Sequence, residues 1–356
     1  MRFPSVLGMS WAVTALCIGL LMSGNTWAAV IKGLYEAQRV VANQGDEERG
    51  KALRDGLSEV LVRITGNENA ASDEGIRKAF NDPLTLVRQY RYERFEIQPG
   101  AWGLSIRMVF DPAAVDARLQ ANDLPLWGRE RPASLVWLAV EDGRRRWVST
   151  EDGGVYLQVL SDAAMRRGIP LLFPLLDLEE RRSVAVSDVW GGFSDTVFQA
   201  SQRYGTPSVV LIRLRQRTEG WEAHWTQQAF GEVRAWETHG DLEQTLNAGV
   251  NHLADDLARR FVIAGGVVTD VRLDVDAIHD LAGYGRLMAY LRGLSPILAL
   301  RVMSLSDKRL QLSARVRGGA AALEPVIGLD TVLSPVADVA NADASDGTLR
   351  YRLEAR

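Results

Sequence analysis

Residues 192–263 leave the chain the least freedom, because helix, strand and turn signals alternate there in one consistent order. Ser194 is placed to accept the first free amides of a helix carrying Val197, Phe198, Ser201 and Tyr204, which Gly205 and Pro207 end. Residues 208–214 read as a buried strand. A turn at Thr218-Glu219-Gly220, a strand over 221–230, a turn at Gly231-Glu232 and a strand through Val233 and Trp236 follow. Asp241 then caps a helix whose Leu242, Leu246, Val250, Leu253, Leu257 and Phe261 recur at spacings of three and four on one face. This is the pattern of an α/β module.

The start of the chain reads as a leader. Arg2 precedes an uncharged apolar run over residues 6–22, and Thr26-Trp27-Ala28 offers small residues at both positions read by signal peptidase, so cleavage is expected after Ala28. A retained anchor is the competing reading, since the run approaches the length of a membrane span. The chain's one cysteine, Cys17, lies inside this segment and follows Leu16, which does not suit lipidation. Without residues 1–28 the chain has no thiol and 40 basic side chains against 45 acidic ones. An exported protein without disulfides depends on apolar burial, and this length suffices for two or three cores. Mild, dispersed acidity excludes a nucleic-acid surface, and no membrane span is expected once the leader is gone.

The remaining periodicity divides into a small α+β unit over 29–123, a linker rich in Leu, Pro and Trp, a central α/β unit with a mixed sheet over 132–263, a small C-terminal unit of βαββα order over 265–336, and a polar tail over 337–356. In the first unit, Leu53, Leu57, Val60, Leu61 and Ile64 form one helical stripe stopped by Gly66 and Asn67. In the second, residues 171–176 are a candidate strand that Pro174 interrupts or confines to an edge.

Motifs that carry chemistry are sparse. Gly45 to Lys51 matches the opening of a phosphate-binding loop, yet Ala52 stands where a hydroxyl is needed and Asp46, Glu47 and Glu48 would repel phosphate. His224, His239, His252 and His279 show none of the short helical or loop intervals typical of metal sites. Asp270, Asp274 and Asp276 alternate onto one strand face near Asp280. They either recruit a cation or blunt a strand edge. Trp221, Trp225 and Trp236 are the candidate binding residues. As an exposed shelf they would stack on sugar rings or on a partner's apolar side chains; the plainer reading packs them beneath the flanking helices. No covalent-hydrolase motif occurs, no cofactor is indicated, and no catalytic residues are assigned.

Several strings taken together resemble a known family: GLYEAQRVVANQ from Gly33, ALRDGLSEVLVRITGN from Ala52, MRRGIPLLFPLLDLEE from Met165, DVWGGF from Asp188, GWEAHW from Gly220 and YGRLMAYLRGLSPI from Tyr284. The chain resembles exported proteobacterial proteins catalogued as domain of unknown function 2066, a likeness that spans nearly the whole chain after the leader and implies no activity. The order of elements is also similar to periplasmic accessory proteins of the flagellar T-ring, with a middle domain resembling the TolB amino-terminal domain. The expectation is therefore a periplasmic, non-catalytic envelope accessory or scaffold protein acting through an envelope protein partner. The alternatives are a peptidoglycan-binding module using the three tryptophans, and a metal-dependent hydrolase built on the aspartate cluster.

Overall fold

The computed structural model describes residues 28–31, 33–263, 265, 267–336 and 347–355; the leader expected over 1–28 lies outside them apart from Ala28. After strands β1 (Ala28–Val30) and β2 (Glu36–Val41) comes helix α1 (Asp46–Thr65). Asp46, Glu47 and Glu48 complement the positive end of its dipole, and Gly66, at φ 70°, closes it in the left-handed conformation that glycine adopts without strain. Helix α2 (Glu74–Ala79) is capped by Asp73 and α3 (Pro112–Ala121) by Asp111. Between them run β3 (Val87–Gln98) and β4 (Ala101–Phe110), and β4 pairs with both β2 and β3 in an antiparallel sheet. Leu53, Leu57, Val60 and Ile64 of α1 bury against Ile106, Met108 and Phe110 of β4.

The chain continues through β5 (Leu126–Trp127), β6 (Glu130–Pro132), β7 (Ser134–Glu141), β8 (Arg145–Trp147), α4 (Gly154–Arg167) and β9 (Leu171–Leu172). Three short helices, α5 (Leu178–Ser183), α6 (Val186–Trp190) and α7 (Asp195–Ser201), lead to β10 (Ser208–Arg217), β11 (Gly220–Ala229) and β12 (Glu232–Gly240). Helix α8 (Leu242–Phe261) and β13 (Val262–Ile263) complete this part. The sheet runs β12-β11-β10-β7-β8, with β9 also on β7; β7 is parallel to β10 and β9 and the other pairs are antiparallel. Helices α4 and α8 cover one face. On the other, Val184, Val189, Val197 and Phe198 of the α5–α7 layer pack on Leu135, Trp137 and Leu211. A mixed sheet with helices on both faces buries both sides of its inner strands, so β7 and the first half of β10 are apolar without alternation.

Two expectations change here. The strand anticipated over 171–176 stops at Leu172, as Pro174 lacks the amide to extend the ladder. Ser194, anticipated as the cap of α7, has helical dihedrals and makes no capping hydrogen bond.

The last part comprises β14 (Val268–Asp276), α9 (Leu281–Gly293), β15 (Ile297–Ser306), β16 (Arg309–Arg317), α10 (Gly319–Ile327), β17 (Leu333–Pro335) and β18 (Leu349–Leu353). Its sheet order is β15-β16-β14-β18-β17. The polar tail anticipated over 337–356 is therefore corrected: residues 337–346 lie outside the described residues, but Leu349–Leu353 is an inner strand, parallel to β14 and antiparallel to β17.

The anticipated linker is likewise interior. β5 pairs with β13, Trp127 is buried, and one apolar cluster runs from Trp127 through the core beneath α8 into the β14–β16 core. Buried arginines fasten this seam. Arg131 stacks over Trp127 at 3.9 Å and donates to the carbonyls of Trp127 and Arg63, both at 3.0 Å. Arg167 donates to the carbonyl of Gly66 (3.0 Å) and to Asp255 of α8 (2.5 Å). Both guanidiniums thus meet carbonyls at the C-terminal end of α1, where the helix leaves acceptors unpaired and its dipole is negative. No helix among the described residues is long and apolar enough to cross a membrane.

Candidate functional site

Strand alternation places Trp221 and Trp225 on one face, and the register sets Trp236 opposite Trp225. That face lies beneath the helices. Trp225 is 1% exposed, donates its Nε1 hydrogen to Thr238 Oγ1 at 2.9 Å, and stacks on Trp236 with ring centres 5.7 Å apart. The other face of Trp236 is taken by His252 at 4.5 Å, and Trp221 meets Tyr156 edge-on at 5.7 Å. The candidate residues Trp221, Trp225 and Trp236 thus form no open shelf: Trp225 is buried and the other two are half-buried against helical side chains, because α8 crosses β11 at a glycine, Gly249, close enough to cover the indole of Trp225.

The aspartates of β14 do share a face, as alternation requires. Asp276 pairs with Arg309 at 2.6 Å, Asp280 caps α9 through the amide of Gly283 at 2.7 Å, and Asp270 lies opposite Arg315 in the ladder. Asp276 and Asp280 are thus engaged by their neighbours, and because β14 lies between β16 and β18 the aspartates decorate the exposed face of an inner strand and do not blunt a sheet edge.

The feature that singles itself out is the loop joining β9 to α5. Pro174 ends the strand and Leu176 turns the chain at φ 51°, a left-handed conformation that costs a residue with a Cβ about 1–2 kcal/mol. Hydrogen bonds to a buried glutamate hold it there. Glu180, 1% exposed, accepts from the amide of Leu176 at 2.6 Å and from the hydroxyl of Tyr204. The same Tyr204 oxygen accepts from the amide of Leu175 at 2.8 Å, and Arg181 donates to the carbonyl of Leu176 at 2.6 Å. Asp177 caps α5 through the amides of Glu179 and Glu180 and pairs with Arg203 at 2.9 Å.

The electrostatics follow from these contacts. Burial, reinforced by the hydrogen bond to Glu180, pushes the Tyr204 hydroxyl up to about 12. The amide of Glu180, with Arg203 beside it, holds the Asp177 carboxyl below the usual carboxylate range.

The side chains that this framework displays are apolar. Leu175 is 66% and Leu178 73% exposed, with Leu172 at 42% just before them, while Leu176 between them is buried. A groove of about 660 Å³, lined in part by Ala37, Arg63, Met165, Ile169 and Leu171, opens beside β9. Exposed leucines on a loop whose backbone groups are tied down form a contact surface already ordered before it meets anything. The sequence reading had Pro174 interrupt the strand but did not anticipate the ordered loop that follows it. The spacing Asp177-Leu178-Glu179-Glu180, a helix cap followed by an acid three residues on, was the available signal.

A family model described as a domain of unknown function (DUF8605) matches residues 28–128. No curated protein matches the chain. Similar solved structures include the LpoB C-terminal domain from Salmonella enterica, at 10% identity over 31% of this chain and 82% of that one, with a TM-score of 0.22. Competence-damaged protein (CinA) superfamily proteins also match. The one from Escherichia coli is 17% identical over 41% of this chain and 86% of that one; the one from Enterobacter cloacae is 13% identical over 41% and 88%, both with a TM-score of 0.23. Similarity at that level carries no argument about role.

Proposed function

We propose that this is an exported envelope accessory protein that works by protein contact, with Leu172, Leu175 and Leu178 as the centre of its contact surface. The observation that carries the proposal is the loop: strain at Leu176 and burial of Glu180 are both maintained in order to hold two largely exposed leucines in fixed positions. The leader-like residues 1–28, the thiol-free remainder and the resemblance to domain of unknown function 2066 support a periplasmic location. The mixed sheet over residues 132–263, with helices on both faces, supports a central α/β unit similar in plan to the TolB amino-terminal domain.

A photo-crosslinking residue placed at 175 or 178 of the full chain, in cells of its own host, tests the reading. A discrete adduct with one envelope protein is expected at these positions and not at exposed Glu47 on α1. Equal adducts at all three positions, or none at any, would refute it.

A further inference from the structure

We propose that Glu222, His224, Glu237 and His239 form a binding site for one divalent transition metal ion of the zinc class on the outer face of the β11–β12 hairpin. The antiparallel register sets His224 opposite Glu237 and Glu222 opposite His239. Residues two apart on a strand share a face, so the four side chains occupy the corners of one square, each carboxylate beside an imidazole both along its strand and across the ladder. This face is the reverse of the one on which Ala223 and Trp225 are buried.

Donor atoms of three of the four residues already lie together. His224 Nε2 lies 3.1 Å from Glu222 Oε1, and His224 Nδ1 lies 3.0 Å from Glu237 Oε1. One ligand atom from each of Glu222, His224 and Glu237 fits within a mutual spread of 4.8 Å. His239 is a direct cross-strand neighbour of Glu222, a relation that places Cβ atoms about 5 Å apart, so rotation about its side-chain bonds brings an imidazole nitrogen to the same point.

The surroundings orient the set. Arg217 grips Glu222 Oε2 through Nε at 2.6 Å and Nη2 at 2.5 Å, leaving Oε1 turned toward His224. A ligand carboxylate fixed from behind in this way is the usual outer-shell arrangement of a metal site, and a nitrogen of His224 not used for the metal has a carboxylate to receive its hydrogen. Two carboxylates and two imidazoles make a mixed N/O donor set, which suits zinc and its first-row neighbours; calcium and magnesium prefer oxygen alone. With Arg217 counted, the cluster still carries a net negative charge toward a dication.

The signal is present in the sequence as Glu222-Ala223-His224 and Glu237-Thr238-His239, the same three-residue pattern once on each strand of a hairpin. Helical and loop intervals do not reveal it, because the spacing becomes a site only through strand register.

Without an ion the same contacts amount to a histidine hydrogen-bonded between two carboxylates, and titration with zinc distinguishes the two. The untagged chain without its leader, stripped with a chelator, is titrated with zinc chloride by calorimetry. One ion per chain is expected. His224→Ala and His239→Ala should each weaken binding by about tenfold or more, the scale of loss even for outer-shell partners, while His279→Ala leaves it unchanged. Glu237→Gln, which keeps the shape and removes the charge, should weaken zinc in the same way, with circular dichroism checking that each variant is folded. No zinc bound up to about 1 mM, or the parent's affinity kept by His224→Ala and Glu237→Gln, would overturn the proposal and leave a surface ion-pair cluster.

Discussion

Replacing Gly249 by alanine sets helix propensity against packing, and the two make opposite forecasts. In a helix interior, glycine to alanine gains about 1 kcal/mol from the reduced freedom of the unfolded chain. At 249, however, a Cβ would stand 1.9 Å from Cζ2 and 2.0 Å from Cε2 of Trp225, where ordinary contact begins near 3.4 Å. Helix and ring must then separate by about 1.5 Å. The ring has nowhere to go, being stacked on Trp236 and tied to Thr238, so α8 must lift and lose apolar contact along its length. Overpacking costs about 1–3 kcal/mol, and an approach as close as 1.9 Å belongs at the upper end, so about 3 less the propensity gain of about 1 leaves Gly249→Ala less stable by about 2 kcal/mol. Gly285→Ala is the matched control: it lies in α9, a Cβ there would meet nothing within 4 Å, and it should stabilise by up to about 1 kcal/mol. Urea unfolding followed by far-ultraviolet dichroism and tryptophan emission reads both at constant slope. The reasoning fails if the Gly249→Ala midpoint equals or exceeds that of the parent, or if both variants shift the same way.

Truncating Arg131 to alanine leaves the carbonyls of Arg63, Trp127 and Gly128 without their buried donor and should cost about 3 kcal/mol or more in thermal unfolding; a loss below about 1 kcal/mol would contradict the seam described above. Tyr204 keeps its proton in the folded chain at pH values where an unfolded tyrosine, titrating at 10.0, gives it up, so its share of stability is full below pH 10 and fades as pH climbs toward about 12. Tyr204→Phe should therefore lose less stability than the parent between pH 9 and 11, and parallel pH profiles would count against this. Leu175→Asp with Leu178→Asp should change folding stability by no more than about 0.5 kcal/mol, as both side chains are exposed, while abolishing the crosslink expected from a neighbouring probe at 172. A large drop in stability would mean that the leucines serve packing.

The legible parts of the sequence were those where the information is local. The stripes of α1 and α8, the Asp241 and Gly66 caps and the turns around β11 all rest on spacings of a few residues, and the structure forms each of them. What depended on distant partners was hidden. Leu126 and Trp127 look like a linker until β13 arrives to pair with them, and Leu349–Leu353 looks like a polar tail until β14 is beside it. Alternation set Trp221 and Trp225 on a common face, but only the notch at Gly249 decides that a helix covers them. The Leu176 turn is held by Tyr204, which lies 28 positions further along the chain, and Glu222 meets His239 only through a hairpin register that no interval along one strand expresses.

The place of β18 bears on how the protein is made. A chain that emerges amino end first lays down β14, then the hairpin β15–β16, α10 and β17, yet β14 and β17 have nothing between them until residues 349–353 appear. Until then two strand edges stand open beside an apolar core, so the arrival of residues 349–353, not collapse of the earlier segments, sets the moment at which this part of the molecule closes. A chain cut short upstream of Leu349 would carry a permanent gap in this sheet, with the edges of β14 and β17 left unpaired toward each other.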